Sequence, residues 1–119
     1  MIQKLDISGI HAELDKETHE YAVEKIGGMD RFLSRHARES AHAEVKLVEV
    51  KIKTRKQYTC EVILHLPKGT LMTKETANTM LSAIDAAQSK LKNQLKKYKE
   101  KHGNPRLHRR VLSKILRSS

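Results

Sequence analysis

Leu5 and Ile7 alternate with Lys4, Asp6 and Ser8, a period of two that predicts a short strand ending at Gly9. The period then lengthens. Leu14, Tyr21, Ala22, Ile26, Met29, Phe32 and Leu33 recur at three- and four-residue steps around Asp15, a favoured N-cap residue, with Glu17 in the first turn. This predicts a first helix over 16–33. Gly27-Gly28 falls inside it at a cost of roughly 1 kcal/mol per glycine relative to alanine, so the pair reads as a weak turn or a close-packing point.

Beyond a polar stretch, Ala43, Val45 and Leu47 alternate with Glu44 and Lys46, and Val48 and Val50 continue in the opposite phase. A strand over 42–51 with a bulge or register change would produce that switch. Tyr58, Cys60, Val62, Leu64 and Leu66 hold a nearly unbroken period of two against Thr59, Glu61, Ile63 and His65, and Pro67-Lys68-Gly69 then turns the chain into a fourth strand over 70–75. From 77 to 102 the apolar residues Met80, Ile84, Ala87, Leu91, Leu95 and Tyr98 return to helical spacing, stopped by Gly103-Asn104-Pro105. The order β-α-β-β-β-α predicts an α+β two-layer sandwich, a four-stranded sheet with two helices on one face. A domain over residues 1–102 and a flexible basic tail over 103–119 are expected.

Charge divides this scaffold unevenly. Residues 1–89 carry 13 basic and 13 acidic side chains, whereas 90–119 carry 11 basic and only Glu100, so the net charge of +10 is a C-terminal property. On a helical wheel centred on Leu91, Lys92, Lys96 and Lys99 lie to one side of the apolar stripe and Lys90, Lys97 and Lys101 to the other. Asn93 and Glu100 fall outermost. A lysine-rich outer face suits any soluble helix, but six lysines beside one glutamate repel one another, and an anionic partner relieves that repulsion. The tail adds Arg106, Arg109, Arg110, Lys114 and Arg117 between apolar residues, a candidate RNA-contacting extension. A further basic cluster, 51–56, fits a solvated hairpin tip and a binding loop alike.

Other chemistries find little support. The single cysteine, Cys60, falls in phase with core residues, and the seven histidines show no zinc-ligand spacing, so neither a metal nor another cofactor is expected. The first helix carries Glu13, Asp15, Glu17, Glu20 and Glu24 with His11 and His19, but a helix N-terminus favours carboxylates, which explains Asp15 and Glu17 without chemistry, and no GxSxG, GxxxxGK[ST] or GxGxxG motif occurs. A non-enzymatic protein is expected. The four aromatics are too few and dispersed for a base-stacking platform, so a polyanion would be held by its phosphates. With no apolar run of membrane-spanning length and no signal-peptide pattern at Met1, a soluble cytoplasmic protein without membrane partners is the expectation.

The segment Met80-Leu81-Ser82-Ala83-Ile84-Asp85, and above all Lys90-Leu91-Lys92-Asn93-Gln94-Leu95-Lys96-Lys97-Tyr98-Lys99, resembles the ribosome hibernation promoting factors, which include ribosome-associated inhibitor A. The resemblance spans about residues 2–102. It implies a fold similar to a double-stranded RNA-binding domain, and a bacterial protein lodged in the small ribosomal subunit on the path of messenger and transfer RNA. Translation is thereby blocked and idle ribosomes are preserved, without catalysis or a small-molecule substrate. It implies rRNA contacts for Lys90, Lys97, Lys99 and Lys101, for Lys25 on the first helix, and by substitution for Lys92 and Lys96. Departures are Asn93 in place of an arginine, Thr79-Met80-Leu81 in place of Asp-Met-Tyr, and Gly28 in place of a second first-helix lysine. The likeness is to the short form, a monomer when free, which lacks the long form's dimerisation domain. The competing reading is a protein-interaction module that modulates an alternative sigma factor, a label relatives have carried.

Overall fold

A computed structural model of the chain describes residues 2–10 and 14–102, the side chains of Lys101 and His102 excepted. Four strands, β1 (Lys4–Ile10), β2 (His42–Ile52), β3 (Arg55–Leu66) and β4 (Gly69–Ala77), form one mixed sheet in the order β1-β2-β3-β4. β1 runs parallel to β2, and the next two pairings are antiparallel. The expected α+β architecture is present. The helices are α1 (Lys16–Gly27), a 3-10 turn (Gly28–Phe32), a short α2 (Arg35–Ser40) and α3 (Met80–His102).

Three local expectations need correction. The first helix stops at Gly27 and not at 33, because the backbone tightens into the 3-10 turn from Gly28. The glycine pair is therefore a turn; a Cβ built on Gly28 would meet nothing within 4 Å, so no close approach demands it. The polar stretch after it contains α2, capped by Ser34, whose hydroxyl accepts from the Ala37 N–H at 3.2 Å. In β2 there is no bulge, since all eleven residues pair with β3 in unbroken register from His42↔His65 to Ile52↔Arg55. Val48 and Val50 simply point to the open face of the sheet.

The other face carries the core. Ala43, Val45, Leu47, Cys60, Val62 and Leu64 meet Ala22, Ile26 and Met29 from the α1 side and Ala83, Ile84, Ala87, Leu91 and Leu95 from α3, all essentially buried. Burial pushes the Cys60 thiol up to about 12, so it behaves as a small apolar group. β4 extends to Ala77 and α3 begins only at Met80, where Thr79 caps it by accepting from the Ser82 N–H at 3.1 Å. On the open face the imidazoles of His42 and His65 lie 2.9 Å from Asp6 and 3.0 Å from Glu44, and His65 holds the Glu44 carboxyl below its ordinary range.

Because β1 and β2 are parallel and β4 returns parallel to β2, α1 and α3 must run in the same direction across the sheet. Tyr21 donates to the Asp85 carboxylate at 2.5 Å, and Gln88 one turn later donates to the Lys25 carbonyl at 3.4 Å. The carboxylate disfavours the phenolate, so Tyr21 titrates above its usual value of 10.0. Stability from this bond is fully present below pH 10 and is lost as pH rises through the raised value. An ultraviolet titration of the tyrosines should accordingly show a late-ionising component that disappears in Tyr21→Phe. Leu91→Ala, which empties the centre of the α3 stripe, should cost about 2–5 kcal/mol in urea unfolding.

Candidate nucleic-acid interface

The parallel helices bring the C-terminal end of α1 and the 3-10 turn beside the lysine-bearing half of α3. Apolar residues of α3 at three- and four-residue steps point Leu91 and Leu95 into the core, which leaves Lys92, Lys96, Lys97 and Lys99 exposed on its flanks. The two rows face different neighbours. The Lys92 ammonium lies 5.4 Å from the centre of the Phe32 ring in the 3-10 turn, whereas Lys97 lines a groove with Lys68, Thr70 and Met72 beside β4. Tyr98 marks the end of this row, accepting from the Lys68 N–H at 3.4 Å.

Lys25 is half-buried, its ammonium 5.5 Å above the ring of Tyr21 on the previous turn. Arg31 lies 4.9 Å from the same Phe32 ring that carries Lys92. A recess of about 140 Å³ between α1 and α3 is lined by Glu24, Lys25, Gly28, Arg31 and Gln88. Arg31 thus links two neighbouring groupings, sharing the Phe32 ring with Lys92 of α3 and the shallow recess with Lys25 of α1. Arg31 was not among the residues singled out by sequence. Its signal was the basic run Arg31, Arg35 and Arg38, but nothing local distinguishes Arg31 from Arg38, whose Nε donates to the carbonyls of Asp30 and Leu33 and holds the turn together.

Lys90 differs from the rest. Its ammonium lies 3.2 Å from Glu75 on β4, so this lysine has a counter-charge that the helical wheel could not reveal. The pair is substantially exposed and stabilises by at most about 1 kcal/mol. Glu100 also departs from the outermost strip, being half-buried. The side chain of Lys101 and the tail residues Arg106, Arg109, Arg110, Lys114 and Arg117 lie outside the described residues.

Among the described residues no group of three His, Cys, Asp or Glu side chains is placed to hold a metal ion, and no helix is long and apolar enough to cross a membrane. What the surface offers is a set of ammonium and guanidinium groups along α3 and the 3-10 turn, with the side-chain amides of Gln88 and Asn93 among them. Such groups contact successive phosphates of a nucleic-acid backbone without reading bases.

Comparison with known proteins agrees with this architecture. A ribosome hibernation promoting factor of Pseudomonas putida is 33% identical over 99 residues, covering 82% of this chain and 88% of that protein. The ribosome hibernation promotion factor of Lactococcus lactis is 31% identical over 96 residues, and there the chain spans only 49% of the relative's length. Among solved structures, the N-terminal domain of Protein Y from Thermus thermophilus superposes with a TM-score of 0.62 at 26% identity, covering 82% of this chain and 97% of that one. A ribosomal subunit interface protein from Coxiella burnetii shares the fold, with a TM-score of 0.63 at 18% identity over 82% of this chain and 98% of that one. The sequence pattern described as Sigma 54 modulation protein / S30EA ribosomal protein matches residues 5–103, and the chain belongs to that family.

Proposed function

We propose that this protein is a ribosome hibernation factor of the bacterial cytoplasm. It binds the small ribosomal subunit in the decoding and messenger-channel region, blocks translation, and preserves inactive ribosomes under stress or in stationary phase. The observation that carries this reading is the meeting of Arg31 and Lys92 on the Phe32 ring, with Lys25 beside Arg31 at the adjoining recess, continued by exposed Lys96, Lys97 and Lys99 along α3. Ribosomal RNA is the polyanion that such a face fits, and the names of the relatives point to the same assembly. Inhibition is by occupancy and involves no catalysis. Lys90, partly neutralised by Glu75, serves mainly to tie α3 to β4.

The family description also carries the sigma-factor label, and salt separates the two readings. Backbone-held RNA binding weakens by about 0.7–0.9 log units per neutralised phosphate for each log unit of salt, whereas a packed protein interface responds little.

On sucrose gradients at low salt, the protein should sediment with small subunits. Combining Lys92→Gln, Lys96→Gln, Lys97→Gln and Lys99→Gln should shift it to the top of the gradient while changing stability by less than about 1 kcal/mol, because all four are surface changes. Wild-type protein that stays at the top sinks the reading. A gain is also expected: Gly28 has open space at its Cβ and lines the recess beside Lys25 and Arg31. Gly28→Lys should tighten binding roughly fivefold near 0.1 M salt, the effect of one further phosphate contact. Unchanged affinity in equilibrium titrations would place the RNA backbone elsewhere.

A further inference from the structure

The sheet does not end where the helices do. Pairing of β1 with β2 stops at Ile10↔Val48, and pairing of β4 with β3 stops at Tyr58↔Ala77. Among the described residues, β2 and β3 continue beyond those positions as a two-stranded arm over 49–57, about 13 Å long at the rise of a strand. Residues 51–57 are all exposed. Four of those seven are cationic: Lys51, Lys53, Arg55 and Lys56. Glu49, at the base, supplies a counter-charge 3.4 Å from Lys56.

Two features of the arm run against its own stability. Lys51 and Lys56 are directly cross-strand partners, so two ammonium groups share one side of a narrow ribbon, an arrangement that destabilises a hairpin. Lys53 opens the two-residue loop with φ at 56°, in the left-handed region where glycine or asparagine sits more easily than a long side chain. A solvated tip selected only for folding needs neither. Both become favourable when a chain of negative charges lies along the ribbon, since each phosphate removes a repulsion and uses a cation the turn has pushed outward.

We propose that this arm is a second RNA-backbone contact, separate from the α3 surface. The two lie at opposite ends of the molecule, because α3 starts beside the arm's base and places its lysines toward the β3–β4 turn, where Tyr98 meets Lys68. β3, which joins the arm's tip to that turn over 12 residues, is about 36 Å long, within a body measuring 51 × 35 × 20 Å. The partner chemistry is a phosphodiester backbone and not a protein. Of the arm's apolar side chains only Val50 and Ile52 are strongly exposed, far short of the apolar centre of a specific protein interface. This assignment takes ribosomal RNA as the partner from the reading above.

The test uses the full chain, purified bacterial small subunits and, separately, a free RNA duplex of about 20 base pairs, each titrated across a salt series. One variant combines Lys51→Gln, Lys53→Gln, Arg55→Gln and Lys56→Gln; a second carries Lys53→Asn alone. The combined variant should lose at least about tenfold in affinity for subunits near 0.1 M salt, with the slope of log affinity against log salt shallower by about 2–3. Lys53→Asn should melt at the same or a higher temperature than wild type yet bind several-fold more weakly, a split that a purely structural role for Lys53 would not produce. Unchanged affinity and slope on subunits in the combined variant, with wild type bound, overturns the arm assignment and leaves the hibernation reading standing. Wild type that ignores subunits but binds the duplex with the arm-dependent slope overturns that reading and keeps the arm. An arm-dependent affinity insensitive to salt means a protein partner and overturns the RNA assignment, as does failure to bind either probe.

Discussion

The position of every cation on the α3 surface depends on the apolar seam where α1 and α3 lie side by side on one face of the sheet. Ile26, Met29, Ile84, Leu91 and Leu95 are fully buried there, and each such side chain contributes about 1.5–3 kcal/mol by leaving water. An exposed ion pair or a cation resting on a ring contributes about 1 kcal/mol or less. Packing therefore decides where the helices sit, and the charges take the places that remain. The seam is aligned by strand order: a parallel β1–β2 pair followed by two antiparallel returns leaves α1 and α3 pointing the same way, so Lys92 meets Arg31 at Phe32 although the two are distant in sequence. Antiparallel helices would have set the end of α1 against the start of α3, where Ser82 and Asp85 stand.

The same hierarchy explains how the fold tolerates unbalanced charge. Two contacts moderate the repulsion locally, Glu75 beside Lys90 and the face of Phe32 beneath Lys92 and Arg31. Neither neutralises the row as a whole. A helix free in solution with this sequence would suffer from its lysines, but α3 is held by a stripe of buried side chains along most of its length, and the penalty is absorbed by the core. The interaction that folds the helix is thereby separate from the interaction it offers a partner, which is why surface lysines can be changed without endangering the sheet.

Where one periodicity dominated, the sequence was readable. The β3 alternation and the three- and four-residue steps of α3 led directly to the strand, the helix and its two lysine rows, because in both elements one face is buried along most of the length. Legibility failed where structure depends on a partner distant in the chain. Glu75 meets Lys90 only because β4 turns that residue toward the helix layer. The short α2 is held by Ser34 and by Arg38 reaching back to the Asp30 and Leu33 carbonyls, and its six residues are too few for an apolar period to emerge. The phase change at Val48 and Val50 suggested a bulge, since a strand buried throughout keeps its apolar residues on one face. In this strand the helix layer ends first, so past Leu47 the inward-facing positions can be Glu49 and Lys51 with no disturbance of register.

That overhang links the fold to the proposed two-point contact. A hairpin that stayed within the helix-covered sheet would place its cations next to the core, where desolvation works against them. By running on past the described ends of β1 and β4, β2 and β3 carry Lys51, Lys53, Arg55 and Lys56 to exposed positions while remaining continuous with strands that are buried a few residues earlier. The sheet then acts as a stiff spacer between arm and α3. Once one end has engaged the RNA, the other is presented at a fixed distance and orientation, and its contacts form without a second loss of translational and rotational freedom. A flexible basic extension could carry the same charge, but it would give up part of each contact to the entropy of ordering itself. Holding both cationic groups on one hydrogen-bonded sheet avoids that loss, and it makes their spacing a property of strand length.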